Sequence, residues 1–187
     1  MATANIPAGQ ANLSDAQKLV LSIGYFFIYS AHAERSIHDS LEVILNTNEH
    51  LNQNLLSKDA KKYRSYSSLQ KKKIPISKKI NIIRCILISL KKFNSGKREI
   101  VDQIREIIDP IKYYDELNYR FRNNLAHIPI EQNDGSYILQ LENSNDTSDT
   151  ILSLNHSDID EETRFLNSLR ALPTQVKFLI RKLDGPR

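Results

Sequence analysis

The sequence predicts a mainly α fold: a four- to five-helix bundle with a short β-hairpin before the last helix. Three observations predict it. Apolar residues recur every three or four positions through several long stretches. Ser, Asn, Gly and Pro stand where those stretches begin and end. After Pro129 the period shortens to a partial alternation over a few residues, as strands require. The chain has 187 residues, of which 40% are hydrophobic, enough for one domain with a core that needs no staples. That domain is expected over residues 14–183, between a disordered lead-in (1–13) and a short tail (184–187).

The first helix is expected over 15–46. Ser14 reads as its N-cap and Gln17 completes a capping box. Leu19, Ile23, Phe26, Phe27, Ala33, Ile37, Leu41, Ile44 and Leu45 form a wide apolar stripe, with Gly24 allowing a close helix approach. Residues 46–57 are Asn-rich and read as a turn or a short ragged helix. Pro75 bars a continuous helix through the basic stretch that follows. Ser77 then caps a helix over 78–93, which Asn94-Ser95-Gly96 stops. A helix from 97 to about 108 is expected to break or kink at Asp109-Pro110. The next runs from 111 to about 126 on Ile111, Tyr114, Leu117, Phe121, Leu125 and Ile128, and Pro129 ends it.

Strands are expected at 136–142 and 150–154, after a turn signal at Asn133-Asp134-Gly135. They make a β-hairpin insertion within 130–156. Ser157 or Asp158 is expected to cap the last helix, which carries Phe165, Leu166, Leu169, Val176, Phe178 and Leu179 and is kinked or split by Pro173. The longest apolar stretch, 19–31, is too short and mixed to span a bilayer, and the N-terminus lacks the pattern of a signal peptide. A cytoplasmic protein that meets no membrane is expected. The single cysteine, Cys85, excludes an intramolecular disulfide and is expected to pack as a small buried hydrophobe.

The net charge of +4 conceals a strong asymmetry. Residues 57–98 contain 14 Lys/Arg and one acid, Asp59, whereas residues 128–163 contain nine Asp/Glu and no Lys/Arg. A cationic block of this kind suits a polyanion, and it equally suits a solvated face or one paired with the acidic segment. Within it, Lys61, Lys62, Arg64, Lys71, Lys72 and Lys73 can track phosphates while Tyr63 and Tyr66 stack on unpaired bases. The plainer reading places those tyrosines at the bundle edge.

The residues that carry chemistry are concentrated in Arg120-Phe121-Arg122-Asn123-Asn124-Leu125-Ala126-His127. Histidine exchanges a proton near neutral pH, arginine neutralises charge growing on a phosphate, and an amide holds an imidazole or a phosphate oxygen in place. Together they suffice for phosphodiester cleavage without a metal ion. On an ideal helix Arg120, Asn123 and His127 share a stripe with Glu116, whereas Arg122 lies about 140° from His127. Both arginines therefore stand as candidate cations. Glu116 and Arg120 also have the spacing of a simple i,i+4 pair.

Arg122-Asn123-x-x-x-His127 resembles the R-x(4–6)-H motif of HEPN domains, including the polar residue after the arginine. The surrounding order of helices, a β excursion and a final helix is similar over roughly residues 14–183. The resemblance implies a helical ribonuclease acting as a homodimer with a composite cleft, and no cofactor or metal. His127 would act in acid–base chemistry, Arg122 would stabilise the transition state and Asn123 would position His127 or the phosphate. Arg120 and Glu116 would be accessory, as would Glu34 and His38 of the first helix, which family members place near the cleft. Small proteins of this family are commonly toxins or antiviral effectors, with RNA as target and an antitoxin or regulatory protein as a further partner. A noncleaving member that binds RNA, nucleotide or a protein partner is the alternative.

Other candidates are weaker. His32 and His38 are six residues apart, a poor spacing for two ligands on one helix face. Glu34–His38 and Arg35–Asp39 fit helix-stabilising pairs. His50 and His156 stand alone, and there is no Gly-rich phosphate loop, nucleophile elbow or cysteine-based metal site.

Overall fold

The computed structural model describes residues 13–46, 58–122, 130–133, 136–141 and 152–183, with the backbone alone for Arg120, Arg122 and the strands. These residues are mainly α-helical. The helices are α1 (Asp15–Asn46), α2 (Lys58–Arg64), α3 (Ser68–Lys72), α4 (Ile76–Phe93) and α5 (Arg98–Leu117), which continues into a π-helical turn at Asn118–Arg122. Strands β1 (Ile130–Asn133), β2 (Ser136–Leu141) and β3 (Leu152–Leu154) follow. Then come α6 (His156–Ser168), a 3₁₀ turn (Leu169–Ala171) and α7 (Leu172–Leu183). No helix among the described residues is long and apolar enough to cross a membrane.

The chain divides into two compact units. One comprises residues 1–32 and 117–168, the other residues 33–116 and 169–187. In the first, Leu19 and Phe26 of α1, Leu117, and Ile159 and Leu166 of α6 are buried. In the second, burial is almost complete along the second half of α1 (Ala33, Ile37, Leu41, Ile44, Leu45) and one face of α4 (Ile80, Ile83, Ile86, Leu87). Along α5 it continues through Ile104, Ile107, Ile111 and Tyr114, and along α7 through Val176 and Leu179.

Local chemistry explains where most of these elements start. At α1 the Ser14 amide donates to Gln17 Oε1 at 2.9 Å and the Gln17 amide to Ser14 Oγ at 3.3 Å, the reciprocal bonds of a capping box. Ser67 and Gln70 repeat that box at α3. The helices α2 and α3 lie inside the basic block, where no helix is expected from periodicity, because each is under two turns long. The start of α4 is two residues earlier than expected: Pro75, not Ser77, is its N-cap, and no side chain caps it. Asn94 closes it, donating its amide to the Leu90 carbonyl at 3.0 Å.

Three expectations are corrected. Asp109-Pro110 does not break the helix, since α5 runs through Pro110. An interior proline costs about 3 kcal/mol, but the buried stripe Ile104, Ile107, Ile111 and Tyr114 crosses it without a register change, and each such side chain contributes about 1.5–3 kcal/mol. Glu106, whose carbonyl is denied its bond, is exposed to water. At Gly24, no other element among the described residues comes within 4 Å of where a Cβ would stand, so none of them makes a close helix approach there. Cys85 is exposed, because α4 buries the face that carries Ile82, Ile83, Ile86 and Leu87 and Cys85 falls opposite it.

The three strands form an antiparallel sheet in the order β1-β2-β3, with Ile130 opposite Leu139 and Leu139 opposite Leu154. The strand at 130–133 is not among those expected. Asn133 pairs with Ser136, and the dipeptide Asp134-Gly135 stands between them in the sequence. The cap of α6 is Asn155 and not Ser157 or Asp158. Its Oδ1 accepts from the Ser157 amide at 2.8 Å, while Asp158 reaches back to the Asn155 amide at 2.8 Å. Pro173 falls in the first turn of α7, after the 3₁₀ turn that separates α7 from α6. There its missing N–H removes no helix bond.

Candidate active site and basic segment

Arg120 and Arg122 both lie in the π-helical turn Asn118–Arg122, in the first unit. A π turn closes its bonds i→i+5, so the angular spacing of an ideal α-helix does not carry through it. The helical-wheel argument that separated Arg120 from Arg122 therefore loses its basis. Asn123 and His127 lie outside the described residues.

The turn is anchored from α1. The ring of Phe121 packs on that of Phe26, with centroids 5.7 Å apart and planes tilted by 30°. Phe26 is 1% exposed and also meets Phe27 edge-on at 6.0 Å. Asn118, the first residue of the turn, holds its Oδ1 buried without a hydrogen-bond partner. Glu116 sits before the turn, at the end of α5, in the second unit. It pairs with Lys112 at 3.8 Å across an exposed helix face, the helix-stabilising role.

The α1 candidates also lie in the second unit. Glu34 is half-buried. Arg35 and Asp39 form the expected i,i+4 pair at 3.9 Å, largely in solvent. His38 is half-buried, and its Nδ1 lies 3.0 Å from the Tyr63 hydroxyl. Burial, and then the Lys79 ammonium, lower its pKa below the ordinary value. The surroundings thus disfavour a charge on the imidazole, and its Nδ1 is engaged.

The basic segment separates into two sets of residues. Lys61, Lys62, Arg64, Lys72 and Lys73 are exposed, and Tyr66 is half-buried. Tyr63 is 1% exposed, so in this conformation its ring offers no face to a base. Lys71 is also withdrawn: its Nζ is 3.0 Å from Glu42 Oε2, with only 14% of the side chain exposed. Burial, and then the neighbouring Glu42 carboxylate, push the Tyr63 hydroxyl well above its ordinary pKa. Lys79, buried at 7% exposure, has its pKa lowered by burial, which Glu42 opposes. Two signals in the sequence point to this arrangement: the Ser67-x-x-Gln70 capping box, which starts α3, and the acid Glu42 on the polar flank of α1.

Elsewhere in the second unit, Cys85 lines a small cleft of about 300 Å³ with Asp59, Ser77, Lys78, Asn81 and Ile82. Among the described residues, no three of His, Cys, Asp and Glu are grouped so as to hold a metal ion. No family model, no curated protein and no solved structure matches the chain.

Proposed function

We propose that the chain is a HEPN-type endoribonuclease that cleaves single-stranded or loop RNA without a metal ion. The observation that carries the reading is the Arg122-Asn123-x-x-x-His127 motif, which begins on a π-helical turn at the end of a long buried-face helix. Single π turns inside helices occur frequently at functional sites. The reading brings with it the four- to five-helix bundle and pre-terminal β-hairpin of such domains, a homodimer with a composite cleft, and a cytoplasmic role as toxin or antiviral effector held in check by an antitoxin or regulatory protein.

In this mechanism His127 takes the proton from a ribose 2′-OH, which attacks the adjacent phosphorus. Arg122 neutralises the charge that grows on the nonbridging oxygens, and Asn123 orients the imidazole or the phosphate. The 5′-oxygen leaves with a proton, and the product carries a 2′,3′-cyclic phosphate or a 3′-phosphate. DNA lacks the nucleophile and is inert. Alanine substitution at each arginine separately tests the assignment. Arg122→Ala is expected to lower the cleavage rate by about 10²–10³, the loss typical of one charge-stabilising donor, and Arg120→Ala by less. The reverse order would make Arg120 the catalytic cation.

A second reading is a HEPN-like module that binds RNA or a partner without cutting. It is favoured by five exposed cations in and beside α2 and α3, Lys61, Lys62, Arg64, Lys72 and Lys73, which belong to no catalytic group. If these five contact phosphates, the logarithm of the RNA affinity falls with the logarithm of salt at a slope of about −3 to −4. A salt-insensitive affinity would remove this surface from RNA binding.

A further inference from the structure

The second unit contains a polar cluster that the proposed chemistry does not use. Four helices contribute to it: His38 and Glu42 from α1, Tyr63 from α2, Lys71 from α3 and Lys79 from α4. The Tyr63 hydroxyl meets His38 Nδ1 at 3.0 Å, and Lys71 Nζ meets Glu42 Oε2 at 3.0 Å while lying 5.5 Å from the centre of the Tyr63 ring. We propose that His38, Tyr63, Glu42 and Lys71 form an acid-sensitive clasp that holds the cationic segment α2–α3 in place and so presents its exposed cations to single-stranded RNA. The presentation to RNA rests on the function proposed above, and the clasp itself does not.

The segment depends on such anchors. At seven and five residues, α2 and α3 are far below the roughly 12–15 residues at which a helix becomes even marginal alone. The buried residues of α2 are Ala60 and Tyr63, and α3 buries none. Tyr63 and Lys71 tie the segment to α1 by polar contacts.

The charges around His38 make that tie sensitive to a proton. Lys71 and Lys79 face it from α3 and α4, with Glu42 as the carboxylate between them. Asp39 is half-exposed and paired with Arg35, and the Tyr63 hydroxyl meets Nδ1 from α2. The cluster thus already holds two ammonium groups against one withdrawn carboxylate. A proton on His38 adds a third cation to this half-buried cluster and leaves Nδ1 only as a donor toward the Tyr63 hydroxyl. Because His38 binds a proton less readily when the clasp is closed, the stabilisation is complete above the ordinary pKa of 6.5. It is lost as pH falls through the lowered value of the closed state.

Hydrogen–deuterium exchange on the full chain tests this, with amide rates of α2–α3 corrected for intrinsic pH dependence. In the wild type, protection of α2–α3 is expected to fall between pH 7.5 and 5.5, by at most about tenfold per pH unit for one proton. In His38→Asn, whose Oδ1 stands where Nδ1 stood and does not titrate, protection should be the same at both values. Tyr63→Phe should exchange rapidly at both. Amides of α4 report that each variant is folded. Equal protection of the wild type at both pH values, or the same acid loss in His38→Asn, would overturn the clasp. A fluorescent single-stranded RNA added to the same samples separates the two parts of the inference. Weaker RNA binding by the wild type than by His38→Asn at pH 5.5 supports presentation. Equal binding with pH-sensitive exchange overturns presentation and leaves the clasp standing, and no binding at either pH counts against the RNA reading itself.

Discussion

His127→Ala is expected to abolish RNA cleavage while leaving the fold intact. General acid–base catalysis by one positioned histidine contributes about 10²–10⁴ in rate. In the composite cleft proposed above, the substitution would remove both copies of the imidazole, which puts the expected loss at the upper end of that range. His127 follows the anchored turn by five residues and is not among the apolar positions of the motif stretch. Its loss should therefore leave the melting temperature within a few degrees of the wild type, the change expected of a substitution of about 1 kcal/mol or less. Single-turnover cleavage and thermal unfolding, measured on the same preparation, check the two parts. Undiminished cleavage by a well-folded variant would sink the mechanism.

Phe26→Ala should produce the largest loss of stability, and with it a loss of activity. The ring is 1% exposed and packs on both Phe27 and Phe121. Removing a buried phenylalanine costs about 3–5 kcal/mol, the transfer free energy plus that of the cavity left behind. Such a loss is a large part of the 5–15 kcal/mol that holds a typical domain together. It also frees Phe121, the residue between Arg120 and Arg122, from its partner on α1. Urea unfolding should show a lower midpoint with an unchanged slope, and cleavage at a concentration of urea that leaves the variant folded should be slower than in the wild type. A change of stability below about 1 kcal/mol would show that the ring is not the anchor of the turn.

How much of this could be read in the residues depended on whether one signal dominated locally. The first helix was legible end to end: Ser14 and Gln17 marked its start, and the stripe from Leu19 to Leu45 persisted through eight turns, longer than any accidental pattern. The continuation of α5 through Pro110 was not legible, because local proline chemistry opposed it and tertiary burial of Ile107 and Ile111 decided it. The helices α2 and α3 were hidden for the opposite reason, since each is shorter than the window over which amphipathic periodicity shows. The capping residue of α6 was misplaced because Ser157, Asp158 and Asn155 are all good capping types within four positions, and only the backbone geometry selects among them.

The candidate site shows the same division. Residue types pointed to the stretch Arg120–His127, and only the resemblance to the R-x(4–6)-H motif preferred Arg122 over Arg120. The π-helical turn leaves no trace in periodicity, and an ideal helical wheel therefore separates the two arginines on a geometry the backbone does not have. Within the basic block, charge alone cannot tell an exposed lysine such as Lys72 from Lys71, which Glu42 draws inward from a residue 29 positions away in sequence.

The measurement that bears most directly on the proposed function is cleavage of end-labelled single-stranded RNA, beside DNA of the same sequence, in excess EDTA by wild-type protein and His127→Ala. Cleavage of RNA alone by the wild type, with 2′,3′-cyclic phosphate or 3′-phosphate ends and none by the variant, is the predicted result. Cleavage of DNA, loss of activity in EDTA, or equal cleavage by the variant would contradict it.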